Sequence, residues 1–168
     1  MNNKKVYYEH DLSTETSIGI EYEKYLHQSQ SKYQKIDVIK TRYYGNAMYL
    51  DGCFMLSEKN QNYYHDECIK LIPKGAKNIL IIGGGDCAIA KLLSNQSSVK
   101  EIDIVEIDKQ VVLLSQKYFP RHFNYKKNDK KKINLIIEDG YVFLKKTQKK
   151  YNCIIVDSTD PINQAKIL

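Results

Sequence analysis

ILIIGGGDCAIAKLL, residues Ile79 to Leu93, is the stretch on which the fold turns. Four aliphatic residues make a short buried strand, three glycines make a tight turn, and the apolar spacing from Ala88 to Leu93 starts a helix. Gly83, Gly85 and Ala88 satisfy the G-x-G-x-x-G/A pattern, and Glu106 follows at the distance of a ribose-binding carboxylate. The physical reasons are plain. Glycine lets the backbone turn sharply and approach a ligand, and the two oxygens of a carboxylate can accept both ribose hydroxyl hydrogens. An NAD-type cofactor and an S-adenosyl compound meet this pattern equally, and a bare tight turn is the third reading. Cys87 occupies a position where such turns usually keep open space. Its bulk is expected to crowd the ligand, and its place at a helix start to lower its thiol pKa.

The same rhythm continues towards the carboxyl end. Strands are expected at 78–82, 101–107, 133–137 and 153–156, and helices at 62–72, 88–93, 109–118 and 141–148. Continuously apolar strands separated by helices indicate a parallel sheet covered on both faces. In the order third, second, first, fourth, CIIVD (Cys153–Asp157) becomes an apolar edge strand with no following helix to cover one face. Residues 1 to about 60 read differently. Extended runs at 33–41, 47–50 and 53–57 are broken by Gly45-Asn46 and Asp51-Gly52, both suited to hairpin turns. The fold class is therefore α/β. A Rossmann-like, methyltransferase-type, mostly parallel sheet, incomplete at its C-terminal side, occupies 61–168, and a small β-meander domain occupies 1–60.

Composition narrows the function. The 168 residues carry a net charge of +6, concentrated in 126–132 and 145–150. Neither run is interleaved with stacking aromatics or a recognition motif, so no nucleic-acid partner is expected. The longest apolar runs fall far short of the ~20 residues of a membrane span, so a cytoplasmic protein without a membrane partner is expected. The four cysteines lack metal-ligand or disulfide spacing, and no metal is expected.

Ligands of open α/β sheets bind beyond the carboxyl ends of the strands. Asp86, Glu106, Asp108, Glu138, Asp139, Asp157 and Asp160 all fall there, in a chain with only 20 acidic residues. The expected cleft is acidic and suited to a cation. Asp139-Gly140 could set a carboxylate beside an adenine amine or be a turn. Asp157 and Asp160, in VDSTDP, could form an Asx-type turn or supply a base.

Seven ordered stretches then converge: SKYQKIDVIKT, YGNAMYLDG, YYHDE, ILIIGGGD, VEID, EDG and IIVDSTDP, from Ser31 to Pro161. The chain resembles the polyamine aminopropyltransferases, most closely the spermidine synthases. That resemblance implies aminopropyl transfer from decarboxylated S-adenosylmethionine, a co-substrate, to putrescine, in a homodimer or homotetramer. It implies that Glu106 holds the ribose at the turn of Gly83 and Gly85, and that Asp139 and Gly140 frame the adenine. Gln34 would reach the adenosyl-sulfur region, Leu50 would pack near it, and Asp86 would meet the aminopropyl amine. His65 and Asp160 would line the polyamine groove, and Asp157, assisted by Tyr64, would take the proton from the attacking amine. The chain departs from the family pattern at Cys87, at Ile162–Ala165 after the D-P pair, and in a carboxyl-terminal portion that family members carry. The alternative expectation is a truncated homologue that binds only an adenosyl ligand or a full-length partner.

Overall fold

The computed structural model describes residues 5–11, 14–59 and 61–158. They fall into two compact units, one up to Gln61 and one from Asn62 to Ser158.

The first unit is antiparallel throughout. β1 (Lys5–Asp11) and β2 (Thr16–Tyr22) form a ribbon. β3 (Lys24–Gln30), β4 (Lys35–Thr41), β5 (Gly45–Leu50) and β6 (Cys53–Ser57) form a meander in chain order. Three of these strands match the expected runs. The other three, β1 to β3, are largely exposed or polar and offer no apolar run to read. Asp51 and Gly52, with φ of 48° and 86°, make the two-residue turn that their sequence suggests. Gly45-Asn46 does not make the other turn. The reversal lies at 42–44, where the Thr41 hydroxyl accepts the Tyr44 N–H, and Gly45 opens β5 with φ 72°. Tyr7, Ile39, Ala47 and Tyr49 form the core of this unit. Beside them the buried Asp37 carboxylate accepts from the Tyr7 hydroxyl at 2.7 Å and pairs with Lys35 at 2.7 Å.

α1 (Gln61–Lys70) leads into the second unit, which takes in all of the helix but its first residue and continues with β7 (Asn78–Gly83), α2 (Ala88–Ser94), β8 (Glu101–Glu106) and α3 (Lys109–Tyr118). A 3-10 turn (Pro120–Phe123), α4 (Lys127–Lys130), β9 (Ile133–Ile137), α5 (Gly140–Lys146) and β10 (Cys153–Asp157) complete it. All strand pairs are parallel and the order is β10-β7-β8-β9, as the alternation of strands and helices predicts. On one face Ile79, Ile81, Ile102 and Ile104 pack on Ile89, Ala90 and Leu93 of α2. On the other, Leu80 and Val105 pack on Phe143 of α5. Each such Ile, Leu, Val or Phe side chain contributes about 1.5–3 kcal/mol by leaving water. Among the described residues β10 is an edge strand, and Ile154 and Val156 on its α5 side remain 52% and 68% exposed.

A polar network fixes the start of β10. Asp103 of β8, wholly buried, accepts from Tyr151 Oη (2.6 Å), Asn134 Nδ2 (2.9 Å) and Lys149 Nζ (2.9 Å). Burial alone would raise its pKa, but these donors hold it below the usual range. Asn152 Oδ1 accepts the N–H groups of Lys77 and Asn78, tying the same connection to β7. The register of β10 is thereby set, and with it the position of Asp157 at its far end. No helix among the described residues is long and apolar enough to cross a membrane.

Candidate functional site

The carboxyl end of the second unit's sheet is built around the three glycines. Gly83 and Gly84 have φ of 83° and 65°, the left-handed region that a side chain disfavours. The Gly84 N–H donates to the Asp157 carbonyl at 2.8 Å, so the turn after β7 is bonded to the end of β10. A Cβ at Gly83 would run into that carbonyl, and one at Gly85 would lie 2.8 Å from Glu106 Oε2. Glu106 is 7% exposed and accepts from the Gly85 N–H at 3.1 Å and the Asp108 N–H at 2.8 Å. Burial pushes its carboxyl up to about 7, against the pull of these main-chain donors. Gly85 and the motif's distant carboxylate are thus in direct contact, while Gly83 and Gly84 face Asp157.

Two carboxylates stand beside this turn. Asp86 Oδ1 accepts the Ala88 N–H at 3.0 Å, while Oδ2 lies 3.3 Å from His65 Nε2 and 3.8 Å from His122 Nδ1. Burial alone would lower the His65 pKa, but its bond to Asp86 and the neighbouring negative charges raise it instead. Asp157 Oδ1 accepts the Tyr64 hydroxyl at 2.9 Å. Burial first, and then the charge of Asp86, raise the Asp157 pKa, while Tyr64 and His65 oppose them. The Tyr64 phenol is itself held protonated by burial and by Asp157, so it meets that carboxylate as a hydrogen-bond donor. The arrangement can attract a cation between two carboxylates, and it holds one of them with a raised proton affinity.

Cys87 corrects the sequence reading in both respects. It has φ 62° and is 4% exposed, and its side chain belongs to the core cluster with Ile79, Ile81 and Ile89. The left-handed backbone turns the thiol into the protein rather than towards the turn's open side. Burial, with Asp86 and Glu106 nearby, pushes its pKa up to about 12 instead of down.

The other acids of the strand ends have structural partners. Asp108 caps α3 by accepting the Gln110 N–H at 2.9 Å. Asp139 Oδ1 caps α5 by accepting from Tyr141 (2.7 Å) and Val142 (3.1 Å), and Glu138 pairs with Lys146 at 2.5 Å. A Cβ at Gly140 would come 2.6 Å from Ile82 Cγ2, so this glycine allows α5 to start against β7. Gln34 and Leu50, both buried, belong to the first unit, where Ile36 pairs with Leu50 and places them at one end of β4 and β5. Asp160 lies outside the described residues. His122 escaped the sequence reading: it stands singly in FPRHFN, and only the 3-10 turn begun by Pro120 brings it to Asp86. Among the described residues no group of three potential ligands could hold a metal.

Both the sequence and the fold have known relatives. A family profile described as "Spermine/spermidine synthase domain" matches residues 67–168, and one described as "Spermidine synthase tetramerisation domain" matches residues 7–58. The polyamine aminopropyltransferase of Alkaliphilus metalliredigens is 37% identical over 161 residues, covering 94% of this chain and 56% of that protein. That of Clostridium beijerinckii gives the same identity and coverage. The chain thus spans a little over half the length of these relatives. A crystal structure of a spermidine synthase in complex with the transition-state analogue AdoDATO superposes with TM-score 0.85 at 25% identity, covering 95% of this chain and 55% of that one. The spermidine synthase of Thermotoga maritima superposes with TM-score 0.83, again at 25% identity and the same coverage.

Proposed function

The chain belongs to the spermine/spermidine synthase family, and from that premise we propose that it transfers an aminopropyl group from decarboxylated S-adenosylmethionine to putrescine. The observation that carries the reading is Asp157, with its raised proton affinity, bonded to Tyr64 and standing within electrostatic reach of Asp86 beside the glycine turn. The donor is a sulfonium cation and the acceptor a diammonium at neutral pH, so two carboxylates favour both. Asp157 takes a proton from one ammonium group, whose pKa is near ~10 by the lysine reference. The freed nitrogen lone pair then attacks the aminopropyl carbon next to sulfur. A C–N bond forms, the C–S bond breaks, its electron pair neutralises the sulfonium, and methylthioadenosine leaves. Alignment of nitrogen, carbon and sulfur supplies much of the rate.

In this reading Glu106 accepts from the ribose hydroxyls at the turn of Gly83 and Gly85. Asp139 and Gly140 frame the adenine, and Asp86 receives the donor's amine. His65 and Asp160 border the acceptor. The two units act as domains divided near residue 60. The match of 7–58 to a tetramerisation domain supports a homotetramer built through that part.

The test is selective binding. Asp86 should repel the carboxylate that distinguishes intact S-adenosylmethionine, so calorimetry is expected to show tighter binding of the decarboxylated form. Equal or tighter binding of the intact compound would overturn the reading. Incubation with putrescine then distinguishes transfer from the alternative, a chain that binds the adenosyl group without turnover.

Glu106 adds a pH dependence. With its carboxyl at about 7 in the unliganded protein, it is mostly protonated below that pH. Ribose hydroxyls donate to the ionised form, so binding expels the proton there. Affinity should rise by up to about tenfold per pH unit as pH approaches 7, then level off. Calorimetry at pH 6 in buffers of different ionisation enthalpy should register proton release, and at pH 8 none. A flat profile would remove Glu106 from this role.

A further inference from the structure

His122 has no part in the proposed reaction, yet it is 5% exposed and lies directly behind Asp86. Its Nδ1 is 3.1 Å from the Asp86 carbonyl oxygen. A carbonyl only accepts, so Nδ1 carries the proton. The ring stacks on Phe119 at 6.3 Å between centroids and meets the His65 ring edge-on at 5.9 Å. Nor is this the only tie between the segment after α3 and the turn. Tyr125 shares a side-chain hydrogen bond with Cys87, and Lys91 of α2 bonds the Arg121 carbonyl. Both residues of the turn that face this segment, Asp86 and Cys87, are therefore held from behind.

The need for such a hold follows from Cys87. A non-glycine residue at φ 62° sits in the left-handed region, where its Cβ crowds the following carbonyl. Without a fixed Asp86–Cys87 peptide the turn would relax, and the Asp86 carboxylate would swing with it. His65 and Lys91 are the other basic groups near His122, and Asp86 is the acidic one. Burial and the neighbouring His65 keep the His122 pKa low, so near neutral pH it is an uncharged donor that does not cancel the charge of Asp86.

We propose that His122 is a positioning residue that, through its Nδ1–H bond to the Asp86 carbonyl, aims the Asp86 carboxylate and so sets selectivity for a ligand bearing a primary ammonium group. The inference rests on the adenosyl reading of the site. It concerns one feature of the ligand, the terminal amine, and leaves recognition of the nucleoside to Glu106.

The experiment compares binding of decarboxylated S-adenosylmethionine with that of its deamino analogue, which keeps the sulfonium but has hydrogen in place of the amine. In His122→Leu the preference for the amine is expected to fall about tenfold, the scale of one hydrogen bond to a charged centre's support. Affinity for the deamino analogue should not change, which also certifies the fold. His122→Asn places an amide N–H where Nδ1 stands and should restore the preference. His122→Gln, whose amide reaches too far, should not, and it serves in place of the leucine variant if that fails to fold. The loss should shrink in the background of Cys87→Gly, where the turn needs less support. An unchanged preference in the leucine or glutamine variant, or failure of asparagine to restore it, overturns the proposal. If the unaltered protein binds neither ligand, the adenosyl reading falls, and this inference with it.

Discussion

Asp157→Asn is expected to lower the rate of aminopropyl transfer by roughly a thousandfold, the middle of the range for loss of a positioned general base. The amide keeps the shape of the carboxylate and can still accept the Tyr64 hydroxyl, which now bonds Oδ1 at 2.9 Å. What it cannot do is accept a proton from an ammonium group. Binding of the adenosyl donor should survive, because Glu106 and the glycine turn are untouched. Stability should hold or rise, since burial and the charge of Asp86 both disfavour the ionised Asp157 in the folded protein. Turnover assays, donor titration and thermal unfolding on the same preparation separate these effects. Full turnover in the variant would remove Asp157 from the reaction, and lost donor binding would show a structural part instead.

Gly83→Ala should be the most damaging single methyl group in the second unit. Its Cβ would strike the Asp157 carbonyl and lie 2.8 Å from that carbonyl's carbon, at a backbone φ of 83°. The left-handed backbone costs about 1–2 kcal/mol and the overpacking about 1–3 kcal/mol, so a loss of roughly 3 kcal/mol is expected. For a chain of this size that is a fall of about 10 °C in Tm. Gly52→Ala is the control. Its φ is 86° but nothing lies within 4 Å of the added Cβ, so it should lose only the conformational part. Equal losses in the two variants would mean that the contact with β10 is looser than the geometry states. Because Asp157 is the residue struck, Gly83→Ala should also impair transfer beyond what its stability loss explains.

These effects depend on features of unequal visibility in the sequence. The parallel sheet was legible because its strands are buried on both faces and therefore apolar along their length, as at Ile79–Ile82 and Ile133–Ile137. Glu106 was legible as the acid that follows the glycine turn at the end of the next strand, but its hydrogen bond to the Gly85 N–H was not, because a spacing in sequence does not say which main-chain donor a carboxylate will reach. β1 to β3 were not resolved individually, because mostly exposed strands carry polar residues in place of an apolar run. The direction of the Cys87 side chain was hidden for another reason. It depends on the sign of one φ angle, and a position expected to be glycine gives no warning that a substituted side chain will turn inward. His122 had no local signal: its partner lies 36 residues earlier, and only the 3-10 turn and the packing of Phe119 bring the two together.

The bond from the Gly84 N–H to the Asp157 carbonyl has one more consequence. It gives Asp86, two residues along one chain segment, and Asp157, at the end of another, a shared main-chain anchor. In-line displacement is tolerant of a shift of the whole frame and intolerant of a shift within it, where a misplacement of about 1 Å can cost a hundredfold. For the proposed transfer, the main-chain bond at 2.8 Å thus gives the two carboxylates a common point of reference, while the aim of the Asp86 side chain rests on the contacts behind it.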